Sequence, residues 1–120
     1  MTSEELLRSC YKYLDYNMYI LCKNSIKKYK KLDLEFLFLE LYYKEPFLLE
    51  KYFKKDKLND FFKILKKEKT ISKKSSKYLL LVFSYAKDIS KNNSSLFDYK
   101  IFLEAIINTK NPISEFFNFE

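Results

Sequence analysis

Cys10 and Cys22 are the two thiols of this 120-residue chain, and with the clusters Lys27-Lys28-Lys30-Lys31 and Lys51-Lys54-Lys55-Lys57 they are its most obvious candidates for chemistry. A thiol acts as nucleophile or metal ligand only as a thiolate, which needs a cation, a helix N-terminus or a metal beside it. The sequence has no histidine, so a Cys-His or Ser-His pair cannot form. The commonest general base and every His-containing zinc site go with it. It also has no glycine, so no phosphate-cradling loop or dinucleotide fingerprint can be built. The chain is therefore expected not to be an enzyme, and to hold no metal, cofactor or ATP.

On one continuous helix the twelve positions between Cys10 and Cys22 would span about 18 Å. A disulfide needs Cα atoms within about 7 Å and would form only if the chain bent back between them. The expectation is packed, reduced thiols in a reducing compartment.

The formal charge is +7, and all but Arg8 of the 23 cations are lysine. Such an excess suits nucleic acid or an anionic membrane. However, residue usage tilts toward Lys, Asn, Ile, Phe and Tyr, the amino acids of A/T-rich codons. A phosphate reader would also favour the planar fork of arginine. The lysine clusters are accordingly expected to be solvated faces, with no nucleic-acid partner. No stretch has the ~18 apolar residues of a membrane span, so no membrane contact is expected. The acidic start Met-Thr-Ser-Glu-Glu is unlike a transit peptide or a secretory signal. A cytoplasmic or plastid-stromal protein, not a secreted one, is the expected setting.

The elements that must position these residues are helices. From Ser3 to Tyr29, Leu6, Leu7, Cys10, Leu14, Met18, Leu21, Cys22 and Ile26 recur at three- and four-residue spacing. Ser3 with Glu4 and Glu5 suits a helix start, and Asp15 suits a second, so this is one helix or two. Asp33 caps a short buried helix through Tyr43, whose glutamates and leucines favour helix over strand. Pro46 suits the first turn of the next helix, and Leu58 to Leu65 forms another. Residues 66–76 read as the main linker, with Ser75 or Ser76 as cap for a helix through Ile89. Lys91 to Ser95 is a polar break, Asp98 to Asn108 a further helix, and Pro112 precedes Ile113, Phe116, Phe117 and Phe119. On ordinary burial rates, about two-thirds of the 23 aromatics (11 Tyr, 12 Phe) are expected in the core.

The chain also corresponds to itself, which points to a repeat architecture. Leu37-Phe38-Leu39-Glu40-Leu41 aligns with Ile101-Phe102-Leu103-Glu104-Ala105, Pro46 follows the first run as Pro112 follows the second, and Ile26 and Ile89 close the preceding helices. Leu32-Asp33-Leu34-Glu35-Phe36-Leu37-Phe38-Leu39-Glu40-Leu41 resembles the repeat signature of the Clp N-terminal domain, the helical double repeat at the head of ClpA, ClpB and ClpC type AAA+ unfoldases. Leu96 through Ile107 keeps its apolar frame, with Tyr99 where the family has a second glutamate and Phe36 and Lys100 in place of its histidines. The resemblance spans roughly Asp15 to the C-terminus.

It implies an all-α fold of about eight short helices with a pseudo-two-fold axis, in a single domain over 1–120: repeat 1 about 15–65, linker 66–76, repeat 2 about 77–120. It further implies a domain that recognises adaptor proteins or unfolded clients for an ATPase motor outside this chain, in a charge-rimmed apolar groove between the repeats. In some ClpC-like members both repeat glutamates receive phosphoarginine on tagged substrates. With only the first retained, that pair is not carried over, and the implied peptide- or adaptor-binding positions are Glu35 and Tyr99. Taken by itself, a first-turn glutamate such as Glu35 most often favours the helix dipole. Two other classes compete: a basic helical nucleic-acid binder using the lysine clusters, and a helical interaction protein of the viral Bcl-2-like kind, built around one central helix without a repeat.

Overall fold

A computed structural model describes residues 2–67 and 75–117, and among these it contains eight helices and no strand. The helices are α1 (Ser3–Cys10), α2 (Tyr16–Tyr29), α3 (Leu34–Lys44), α4 (Pro46–Glu50), α5 (Lys55–Lys67), α6 (Ser75–Asn92), α7 (Tyr99–Asn108) and α8 (Pro112–Phe117). The protein is all-α.

Three of the helices start by the same local device, an apolar residue followed by aspartate. Asp15 Oδ1 accepts the Met18 N–H at 2.8 Å, Asp33 Oδ1 those of Glu35 and Phe36 at 3.0 and 3.1 Å, and Asp98 Oδ1 that of Ile101 at 2.9 Å. Each carboxylate satisfies N–H groups that have no partner within the helix. The cap at Asp15 divides the first apolar stretch into two helices. Ser3 is not the first cap: Thr2 fills that place in a reciprocal capping box with Glu5. Ser3 Oγ instead accepts the Leu32 N–H at 2.7 Å, fastening α1 to the approach to α3.

Two helix ends need left-handed backbone, and a chain without glycine supplies it from other residues. Lys30 closes α2 at φ 66°, and Ser94 follows α6 at φ 52°. For residues carrying a Cβ that geometry costs roughly 1–2 kcal/mol. Helix α5 extends to Lys67 and α6 to Asn92, so each takes in residues with linker-like composition. Most of the linker 66–76, the residue preceding α6 and Phe119 lie outside the described residues.

The core is one continuous cluster of buried apolar side chains. Leu34, Leu37, Phe38, Leu39 and Leu41 of α3 and Ile101, Phe102, Leu103, Ala105 and Ile106 of α7 supply its centre. Burial in α3 and α7 follows the same order along the aligned runs, with Glu40 and Glu104 left within reach of solvent. Helix α6 packs along α7, and α2 along α3. Among the described residues eight phenylalanines are buried and no tyrosine is, while Tyr19, Phe36, Tyr42, Tyr78, Tyr99 and Phe116 pack against the core from its edge, close to the expected two-thirds of the aromatics. The phenol explains the split, because its hydroxyl needs a partner or water and so holds the ring at the boundary.

Candidate interaction site

Leu14 and Phe97, each just before a capping aspartate, form an isolated parallel bridge. Asp15 N–H donates to Phe97 O at 3.1 Å, and Phe97 N–H donates to Tyr13 O at 2.7 Å. The bridge ends α1 and lets α2 start alongside α7. The turn that follows Cys10 packs α1 against α2, where a single unbroken helix would have carried it away. Cys10 and Cys22 are consequently both buried and unbonded, and near enough for Cys10 to act electrostatically on Cys22. Burial pushes the Cys22 thiol far up, which makes it a packed apolar group and a poor nucleophile.

A groove of about 490 Å³ opens between α1 and α2. Leu7, Tyr11, Tyr19 and Ile26 give it apolar walls, and Glu4, Arg8, Lys23 and Lys27 surround them. Tyr11 is 61% exposed yet stands edge-on to Tyr19, with ring centroids 5.3 Å apart, and Lys23 Nζ lies 5.7 Å from the Tyr19 ring centre. The lining comes from i, i+4 positions on either side of the break, Leu7 in α1 with Tyr11 at its C-terminal cap and Tyr19 with Lys23 on α2. That spacing was visible in the sequence, but without the turn at residues 11–14 the two rows face nothing in common.

Tyr99 and Glu35 sit elsewhere. Tyr99 heads α7, its hydroxyl 3.3 Å from the Asn17 carbonyl to which it donates. Burial first, then the negative charges of Asp15 and Glu45, holds its phenol above the usual range. It lines a second groove of about 410 Å³ with Asp15, Asn17, Glu45, Phe47, Leu48, Lys51, Asp98 and Lys100. Three carboxylates and two ammonium groups make this groove, lined from the starts of α2, α4 and α7, far more polar than the α1–α2 one. Glu35 does not line it. It occupies the first turn of α3, half-buried beside the Asp33 cap, where a negative charge favours the helix dipole.

The lysine clusters separate in the fold. Lys27 borders the α1–α2 groove, whereas Lys28 Nζ reaches Glu40 Oε1 at 2.8 Å, and the same oxygen accepts the Tyr29 hydroxyl at 2.6 Å. Lys28 and Lys66 each lie 5.4 Å from the Tyr43 ring centre, so this knot ties α2, α3 and the end of α5 together. Partial burial, then the bond to Glu40, pushes the Tyr29 phenol up to about 12. Because the folded value exceeds the unfolded one, Tyr29's contribution to stability is complete below about pH 10 and is lost as pH rises through about 12. Absorbance titration of the parent against Tyr29→Phe is expected to show one late-ionising phenol that the variant lacks. An unchanged curve would mean that Tyr29 does not donate to Glu40.

Among the described residues no cluster of Cys, Asp and Glu is placed to hold a metal ion, and no helix is long and apolar enough to cross a membrane. Compared with protein-family models, with curated proteins and with solved structures, the chain matches none.

Proposed function

We propose that this chain is a protein-recognition module whose docking surface is the α1–α2 groove, with no reaction to perform on what it holds. The observation that carries this is the exposed Tyr11–Tyr19 pair over Leu7 and Ile26: apolar, aromatic and concave, walled by two helices. Apolar surface gathered in a concavity is what a partner's side chains fill most favourably. Tyrosines suit such a site because they bring much contact area at little cost in side-chain entropy.

In its finer form the proposal makes the chain an N-terminal substrate- or adaptor-recognition domain of a Clp-type AAA+ unfoldase, with a pseudo-two-fold helical repeat. It would pass adaptors or unfolded clients to an ATP-driven motor outside this chain. Support comes from the shared burial order of α3 and α7, the proline that starts both α4 and α8, and the left-handed residue that follows both α2 and α6. On this proposal the working surface is built partly by α1, ahead of the segment in which the resemblance is found.

The test is binding of a permanently unfolded protein, reduced and carboxymethylated, to the whole chain. Saturable binding is expected, weakened about tenfold by Tyr11→Ala, a substitution outside the core. Duplex DNA and single-stranded RNA are the counter-probes. Nucleic-acid binding at ~0.15 M salt that falls steeply as salt rises, with no protein binding, would replace this proposal with the basic nucleic-acid reading.

A further inference from the structure

Resting on the docking proposal, we infer that the occupant of the α1–α2 groove is an acidic protein segment, with closely spaced apolar side chains flanked by Asp or Glu. The groove's apolar walls and its ring of charge make separate demands. Leu7, Tyr11, Tyr19 and Ile26 call for hydrocarbon or aromatic side chains. Arg8, Lys23 and Lys27 set three cations around them against the single carboxylate of Glu4.

Those three cations have no carboxylate partner among the described residues, although Lys28, next in sequence to Lys27, is bound to Glu40. Lys23 and Lys27 are one turn apart on the same side of α2, so their ammonium groups can serve carboxylates at a matching interval. Arg8 stands on the opposite wall, and its planar fork can hold a carboxylate through two hydrogen bonds. A segment with apolar anchors and acidic flanks meets both demands at once. A polyphosphate would satisfy the cations and leave the apolar walls in water. A basic or neutral segment would fill the walls and leave three cations facing like charge or none. Complementary charge also speeds encounter and disfavours wrong partners.

The experiment uses the whole chain and three fluorescent peptides of identical apolar pattern, Leu and Phe three and four residues apart, whose remaining positions are Asp/Glu, Asn/Gln or Lys. The acidic peptide is expected to bind at least about tenfold more tightly than the lysine one, with affinity falling as salt is raised. Lys23→Glu with Lys27→Glu, both exposed positions, is expected to remove or reverse the preference while the thermal melt stays near that of the parent. Tyr11→Ala weakens all three peptides. Equal binding of the three would overturn the acidic occupant and leave the docking proposal standing. No binding of any would overturn both. Preference for the lysine peptide, or binding of phosphatidylglycerol vesicles with none of the peptides, would also overturn the acidic occupant.

Discussion

Phe38→Ala is expected to destabilise the protein by about 3–5 kcal/mol, the usual cost of emptying a fully buried phenylalanine site. A single domain typically has only about 5–15 kcal/mol in total, so the variant should be marginal or partly unfolded at physiological temperature. Phe38 is 0% exposed, and its ring sits 5.2, 5.9, 5.6 and 6.4 Å from those of Phe53, Phe61, Phe62 and Phe117. It thus joins α3 to the turn after α4, to α5 and to α8, and alanine would open a cavity that rings from three different elements cannot all move to fill. Edge-to-face contacts of this kind add about 0.5–1.5 kcal/mol each to the area term. Urea unfolding checks it: the midpoint should fall steeply with the slope unchanged. Phe47→Ala is the matched control, since Phe47 is 77% exposed and its loss should stay within about 0.5 kcal/mol. Similar losses in the two variants would contradict this picture of the core.

The second large effect is expected at a polar residue. Asn111 is 0% exposed, and its side chain uses both ends. Nδ2 donates to the Ile106 and Thr109 carbonyls at 2.9 and 3.0 Å and to Thr109 Oγ1 at 3.0 Å. Oδ1 accepts the Ile113 and Ser114 N–H groups at 2.9 and 3.0 Å, capping α8. Asn111→Ala leaves buried carbonyls and amides without partners and should cost about 2–4 kcal/mol. Asn111→Asp keeps the acceptor and loses the donor, turning a carboxylate oxygen toward two carbonyls. The introduced carboxyl should therefore titrate above its unfolded value of about 3.9, so that the variant loses stability as pH rises through the raised value and recovers below the unfolded one. Thermal melts at ~pH 4 and ~pH 7 should show the gap between variant and parent narrowing in acid. A gap that widens in acid would rule out Nδ2 as the essential donor.

Most helix starts were legible because their cause is local. A capping aspartate needs only the N–H groups two and three residues on, so Asp33 and Asp98 announce themselves, as do Pro46 and Pro112, while Asp15 offered a start that left the first segment as one helix or two. Thr2 was missed because its partner Glu5 also fits a start at Ser3, and what removes Ser3 from capping is a hydrogen bond to Leu32, far along the chain. The helix ends at Lys67 and Asn92 were set too early because polar composition does not by itself end a helix. Glu35 and Tyr99 were singled out by resemblance, and they stand on different helices, with Tyr99 but not Glu35 lining the groove beside the head of α7.

From residue types alone came the all-α class and the apolar stripes, both of which depend on side-chain chemistry or on spacing within one turn. The number of helices in the first segment, the proximity of Cys10 to Cys22 and the pairing of the Leu7–Tyr11 row with the Tyr19–Ile26 row were decided only in three dimensions. The physical reason is the turn at residues 11–14, held by a backbone bridge to Phe97. That bridge brings together positions more than eighty residues apart, and periodicity carries no information over such a distance.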